Sequence, residues 1–261
     1  AWVVCDFRGN NPGLAPILGN CVHTTRRVIL VVPASGQTTL FVHVIEAGQF
    51  AHEGDALRSY RTHEDLVEAL RSVLSGLNRV AIEYSPGGIL PAVSWVDAGT
   101  VELLRALGPE SIESSADLLQ ATLAVWDDAA LAAHHEASTA VVAAKDAAFE
   151  AIRIAIAGDA TLTEYDVQRL IAERLATGGF ETDHDAIVGV NAHSGDPHYA
   201  PVAGQSAAIR PGDWVLIDLW ARRPGDDNVY ADITWVAAAA PVVEPRQQLV
   251  FDIVRRARDL I

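Results

Sequence analysis

Two apolar, strand-like segments on either side of a turn-rich stretch constrain this chain more than any other feature. Residues 209–223 and 228–238 are rich in apolar and β-branched side chains, and the tetrapeptide PGDD separates them. Such runs around a short Pro/Gly turn predict an antiparallel β-hairpin. Asp218 and Asp232 lie in the middle of the two runs, where burying an unpaired carboxylate is costly. The two carboxyl groups therefore need partners that compensate for their loss of hydration.

A turn centred on Gly225 would place Asp218 directly opposite Asp232, because both are equally far from it in the sequence. Side chains in a direct pair lie about 5 Å apart at Cβ, and like charges there destabilise a sheet. Because side chains alternate between the two faces of a strand, Asp218 and Asp232 would lie on the same face of the hairpin. Six other residues would share that face: Trp214, Leu216, Trp220, Tyr230, Thr234 and Val236.

Three arrangements could satisfy the two aspartates. A shared proton is typical of aspartic dyads, but those acids lie in D-T/S-G loops, and neither Asp218 nor Asp232 does. Divalent metal ions suit carboxylate oxygens and favour a metal site. The structural alternative, in which backbone groups or arginines satisfy each acid, stays open at this point.

Composition limits the class of partner. The net charge of −15 disfavours nucleic acid and anionic membrane surfaces as partners. Charges interrupt each apolar run before the length of about 18 residues that a membrane span requires, and no signal peptide opens the chain. We therefore expect a soluble, cytoplasmic protein with a small-molecule or peptide substrate. Cys5 and Cys21 lack metal or redox spacing, and we expect both to be buried free thiols.

The order of elements predicts two domains. Residues 1–125 alternate short β-branched runs with helical stretches, which is typical of an α/β domain. Near Trp126 an Ala-rich helical tract begins and continues to Gly158. A second helix begins after Thr163, a good N-cap, and stops at Gly178 and Gly179. A strand, a polar loop, the hairpin and an amphipathic helix follow.

The polar loop and its surroundings contain three histidines, His184, His193 and His198. A mononuclear zinc site is one interpretation, although the three lack the close helical spacing that would favour it. A histidine in a loop is more often a solvated side chain, and this is the alternative for His184 and His193.

Three motifs carry a family resemblance: NAHSGDPHY, IRPGDWVLIDLW and VYADITW, in this order. Together they resemble the metallopeptidases of the creatinase and Xaa-Pro aminopeptidase type, called M24 or pita-bread enzymes. The resemblance covers the whole chain. It implies an α/β creatinase-like N-terminal domain over residues 1–125 and, over residues 126–261, an α+β pita-bread domain, an antiparallel sheet with helices.

The resemblance also implies roles for individual residues. Asp218 would be a ligand to one of two divalent metal ions, Mn, Co or Zn, and Asp232 would bridge both. His198 would face the substrate and its developing oxyanion, whereas His193 has no counterpart. The implied activity is that of a metal-dependent exopeptidase, an Xaa-Pro aminopeptidase or dipeptidase, in which water activated by the metal pair cleaves a peptide next to proline. The implied assembly is a homodimer.

Members of this family need a further His and two Glu ligands after the hairpin, and the sequence ends at Ile261 before any of them. We therefore expect the metal-binding domain to be incomplete at its C-terminus, and the chain, which has no Met, to lack its natural start. Two alternatives remain: a creatinase-like amidine hydrolase that uses a histidine as its base, and a non-catalytic pita-bread binding protein.

Overall fold

The computed structural model describes residues 1–19, 23–50, 56–225 and 228–260. The chain divides into two compact units, Ala1–Val125 and Trp126–Ile261. Cys5 is a buried free thiol, as the sequence predicts, and Cys21 lies outside the described residues.

The first unit contains a mixed sheet of six strands in the order β4–β3–β2–β1–β5–β6. The pairs β1–β2 and β2–β3 are antiparallel, and the other three are parallel. The strands are β1 (Trp2–Phe7), β2 (Arg27–Val32), β3 (Thr39–His43), β4 (Leu57–Tyr60), β5 (Arg79–Ile82) and β6 (Ser111–Ser114). The helices are α1 (Leu14–Leu18), α2 (His63–Leu74), α3 (Ala98–Ala106) and α4 (Ala116–Thr122).

This sheet buries both faces of its central strands β1 and β2, which explains why these two strands are nearly continuous apolar runs. Val3 and Cys5 of β1 belong to a core that α2 and α3 cover. Trp2 and Val4, which alternate with them, belong to a second core that includes Leu14 of α1 and Leu119 of α4. The first unit is therefore a layered α/β structure.

The second unit packs two long helices against one face of an antiparallel sheet, β7–β8–β9. Its elements are α5 (Asp128–Ala157), α6 (Glu164–Thr177), β7 (Ile187–Val190), β8 (Trp214–Ala221), β9 (Ala231–Ala238) and α7 (Pro245–Arg258). Ile217 and Leu219 of β8 are fully buried in this core, together with Val141 and Ala144 of α5. The residues of β8 that alternate with Ile217 and Leu219 point to the opposite face.

The ends of α6 follow the chemistry expected from the sequence. Thr163 accepts a hydrogen bond from the backbone N–H of Asp166, and the Asp166 carboxylate reaches back to the Thr163 N–H, a capping box. After the helix, Gly179 has φ of 74°, in the left-handed region that favours glycine. Both predicted ends of this helix are confirmed.

The last helix, α7, has no buried residue. Its apolar side chains include Leu249, Val250, Ile253 and Val254, all more than half exposed. Among the helices of the described segments, none is both long enough and apolar enough to cross a membrane.

Candidate metal centre

The hairpin forms, but its register differs from the expected one. Asp218 pairs with Thr234, and Asp232 pairs with Trp220. The reason lies in the turn, which the N–H of Asn228 closes by donating to the carbonyl of Gly225, so that the centre of the turn follows Gly225. The predicted direct pairing of Asp218 with Asp232 is therefore wrong.

The shift is by two residues, so it preserves the face on which each side chain lies. Asp218 and Asp232 are diagonal neighbours on the face that points away from α5 and α6. Diagonal neighbours lie about 7–8 Å apart, compared with about 5 Å for a direct pair. This spacing relieves part of the repulsion and leaves room for cations between the two carboxyl groups.

The two carboxyl groups have different surroundings. Asp218 is half-buried, and its Oδ1 accepts a hydrogen bond of 2.6 Å from the Thr234 hydroxyl. Partial loss of hydration, followed by the negative charge of Asp218, raises the pKa of the Asp232 carboxyl. Within the described parts of the chain, neither aspartate has a salt bridge, and Asp232 has no hydrogen-bond partner for its side chain. The arginine-paired alternative is therefore not what the structure shows.

These two acids fit divalent cations as part of a ligand set. They supply hard oxygen donors, carry uncompensated negative charge and lie on an open face. No group of three or more His, Cys, Asp or Glu side chains that could hold a metal ion occurs in the described residues. Asp218 and Asp232 alone therefore do not complete a dinuclear centre, and the structure does not gather His184, His193 and His198 into the mononuclear zinc site.

A cavity of about 870 Å³ adjoins the aspartates on the same face. Trp214, Leu216, Thr234 and Val236 of the hairpin line one side of it, and α7 lines the other. Its walls are mostly apolar, and arginine side chains of α7 are among the residues that line it. Because the Thr234 hydroxyl contacts both Asp218 and the cavity, a ligand in the cavity would lie beside the carboxylates.

The polar loop after β7 begins by folding back over this face. Gly189 pairs with Leu216, so it lies on the same side of the sheet as Asp218. A Cβ on Gly189 would lie 2.9 Å from the backbone carbon of His193 and 3.0 Å from the nitrogen of Ser194. Glycine is therefore needed here because the backbone of the turn Asn191–Gly195 occupies the space of a side chain.

The predicted catalytic residue, His198, lies further along this loop and is exposed. Its backbone N–H donates to the Asp196 carboxylate at 3.0 Å. His184, upstream, is exposed and 3.3 Å from Asp183. Its surroundings agree with the interpretation of a solvated side chain.

Sequence reasoning missed Glu164. Its side chain is fully buried and hydrogen-bonds to the loop at several points, including the ring of His193 at 2.8 Å. The only signal available from the sequence is a charged residue at the first position of a helix, which is usually explained by the helix dipole alone.

The model of metallopeptidase family M24 matches residues 132–261, which include most of α5, all of α6 and α7, and the hairpin with both aspartates. A comparison with curated proteins found no similar sequence.

Solved structures share the fold. A dipeptidase from Mycobacterium ulcerans has a TM-score of 0.63 and 22% identity, with 94% of this chain and 61% of that chain covered. A prolidase from Pyrococcus furiosus has a TM-score of 0.55 and 16% identity, with 99% and 67% covered. A proline aminopeptidase from Yersinia pestis has a TM-score of 0.55 and 17% identity, with 99% and 63% covered. This chain thus spans about three fifths of the length of the Mycobacterium ulcerans dipeptidase.

The family match, the shared fold and the two aspartates on one open face of the hairpin agree with one another. Residues 132–261, which include both aspartates, belong to metallopeptidase family M24.

Proposed function

We propose that this protein is a metal-dependent exopeptidase of the Xaa-Pro aminopeptidase or dipeptidase type. The observation that carries the proposal is the placement of Asp218 and Asp232 on one open face with no cationic partner among the described residues. Membership of family M24 supports a hydrolase, and the names of the similar structures, a dipeptidase, a prolidase and a proline aminopeptidase, support a bond next to proline.

Each residue has a distinct role in this proposal. Asp218 would hold one of two divalent ions, Mn, Co or Zn, and Asp232 would bridge both. The Thr234 hydroxyl donates to Oδ1 of Asp218 and would orient that carboxylate toward an ion. When bound, the ions would lower the pKa of a water molecule and polarise the scissile carbonyl. His198 would donate a hydrogen bond to the oxygen that becomes negative during the reaction.

The apolar cavity beside the aspartates supports a peptide substrate with an apolar side chain or proline ring. Small-molecule sites are mostly apolar clefts with a few polar groups that fix orientation. Trp214 and Leu216 supply such walls here, and Thr234, whose hydroxyl donates to Asp218, supplies a polar group.

Three further expectations belong to the same proposal. The unit Ala1–Val125 would be the creatinase-like N-terminal domain, and the second unit would be part of the pita-bread domain. The protein would act as a homodimer in the cytoplasm, where a free thiol such as Cys5 stays reduced.

Hydrolysis of Xaa-Pro dipeptides and of longer Xaa-Pro peptides tests the proposal. The full-length protein is stripped with a chelator and reloaded with Mn, Co or Zn before each assay. We expect activity that depends on the added metal, and we expect Asp232→Asn to abolish it because the bridging carboxylate is lost. Asp185→Asn is the matched control, since Asp185 is an exposed acid in an ion pair with Arg169.

Two results would contradict the proposal. Wild-type activity of Asp232→Asn would exclude the bridging role. An absence of proline-peptide turnover in the metal-loaded full-length protein would exclude the exopeptidase. In that case, turnover of creatine without added metal would indicate the amidine hydrolase, and no turnover of either substrate would indicate a binding protein.

A further inference from the structure

Glu164 is a buried acid that the proposed chemistry does not use. It is the first residue of α6, and its side chain has no exposed surface. Burying a carboxylate is costly unless every lone pair is satisfied, so an acid in this position needs a structural or functional reason. The reason lies in the donors that surround it.

Four donors bind the Glu164 carboxylate, two on each oxygen. Oε1 accepts from the N–H of Val190 and from Nδ1 of His193, both at 2.8 Å. Oε2 accepts from the hydroxyl of Tyr199 at 2.6 Å and from the N–H of Ala207 at 2.8 Å. Hydrogen bonds to an ionised acceptor are the strong ones, and this acid has a full set of them.

The donors also determine the chemical form of the group. The N–H groups of Val190 and Ala207 can only donate, so each oxygen of Glu164 acts as an acceptor. His193 then donates from its Nδ1 to the Glu164 carboxylate. Burial and the bond to Glu164 raise the pKa of Tyr199, so its hydroxyl keeps the proton that it donates.

The four bonds hold the whole loop that carries His198. Val190 is the last residue of β7, and Ala207 lies where the loop returns to α6. Between them, His193 and Tyr199 fix two interior points, and their rings stack at 4.2 Å. The turn that contains His193 is also the one that lies on Gly189, on the face of the two aspartates.

We propose that Glu164 is a positioning residue that fixes the loop 191–207 on the face of Asp218 and Asp232 and so places His198 for the reaction. It acts through Tyr199, the neighbour of His198, and through His193. This inference rests on the proposed function for the role of His198, but the arrangement of the loop can be measured independently of catalysis.

The experiment compares two variants with matched controls. Glu164→Gln places an amide NH₂ against a donor and therefore breaks at least one of the four bonds, whereas Glu173→Gln changes an exposed acid on the same helix. Tyr199→Phe removes one hydroxyl, whereas Tyr165→Phe removes a hydroxyl next to Glu164 that has no hydrogen bond among the described residues. Tyr199→Phe keeps the test valid even if Glu164→Gln does not fold.

Three measurements are made on the metal-loaded full-length protein: amide exchange at Val190 and Ala207, the amount of bound metal, and kcat and KM for an Xaa-Pro peptide. We expect exchange at both amides to rise by about tenfold or more in Glu164→Gln, since a charge-assisted bond is lost, with amides in α5 unchanged. In both variants metal content should stay at the wild-type level, and kcat should fall by about tenfold with little change in KM, because His198 acts only in the transition state. Both controls should match the wild type.

The outcomes separate this inference from the proposed function. Unchanged exchange at Val190 and Ala207 in Glu164→Gln would overturn the positioning role, whatever the activity. Unchanged kcat in a folded Tyr199→Phe would also overturn it. A wild-type protein without peptidase activity would refute the proposed function, and raised exchange in Glu164→Gln would then still support the anchoring of the loop by Glu164.

Discussion

The close approach of the turn Asn191–Gly195 to Gly189 makes Gly189→Ala the sharpest test of the packing around the site. A new Cβ would meet backbone atoms of His193 and Ser194 at 2.9 to 3.0 Å. Backbone atoms cannot rotate away as a flexible side chain would. The turn must therefore move by several tenths of an ångström, or β7 must.

The cost can be worked out from these contacts. Inserting a methyl group into a tightly packed region costs about 1–3 kcal/mol. The lower unfolded-state entropy of Ala offsets at most about 1 kcal/mol of this. We expect the movement to strain the bond between His193 and Glu164 first, because the same turn makes both contacts. With a mid-range cost of about 2 kcal/mol, local opening of β7 and the turn should become easier by about 1–2 kcal/mol after this offset, which corresponds to about 5–30-fold in exchange.

Hydrogen exchange of a peptide that covers residues 187–195 measures this effect. Gly195→Ala is the matched control, because it lies in the same turn and a Cβ there has no neighbour within 4 Å. We expect faster exchange and lower peptidase activity only in Gly189→Ala. If the two variants exchange at the same rate, the turn does not rest on Gly189, and the argument for its position over the aspartates is wrong.

Three other predictions concern stability and reactivity. Leu219→Ala should lower the free energy of unfolding by about 2–5 kcal/mol, because Leu219 is fully buried. Leu249→Ala, on the exposed side of α7, should lower it by less than about 0.5 kcal/mol. The midpoint of denaturant-induced unfolding measures both changes. Burial raises the pKa of the Glu83 carboxyl above its ordinary value of 4.5. The free energy of unfolding of the first unit should therefore fall as pH rises from 4.5 through the raised pKa, and hydrogen-exchange protection of β5 measures this fall. The same loss of protection in a Glu83→Gln variant would contradict the prediction. Burial also raises the pKa of the Cys5 thiol, so Cys5 should resist alkylation in the native protein at pH 8, and rapid labelling of its peptide would refute this.

The hairpin shows which part of a structure its sequence can predict. Alternation of side chains is local, and it placed Asp218 and Asp232 on one face correctly. The register depends on which residues close the turn, and here the bond from Asn228 to Gly225 moved it by two. A shift by two residues does not change the face on which a side chain lies, so Asp218 and Asp232 remain on the same side of the sheet in the observed register.

The capping box of α6 was predictable for the same reason, since Thr163 and Asp166 are close in sequence. The short elements α1 and β4 were not predicted, because four or five residues carry too little periodicity. Glu164 was missed because its partners lie 26 to 43 positions away. Only the folded chain brings those donors together.

Diffraction from crystals of the protein soaked in Zn²⁺, with anomalous data at the zinc edge, tests the central claim most directly. We expect anomalous peaks about 2.0–2.2 Å from carboxylate oxygens of both Asp218 and Asp232. The peak shared by the two residues should disappear in Asp232→Asn. Zinc bound elsewhere, with no density at either carboxylate, would contradict the assignment of this face as the metal centre.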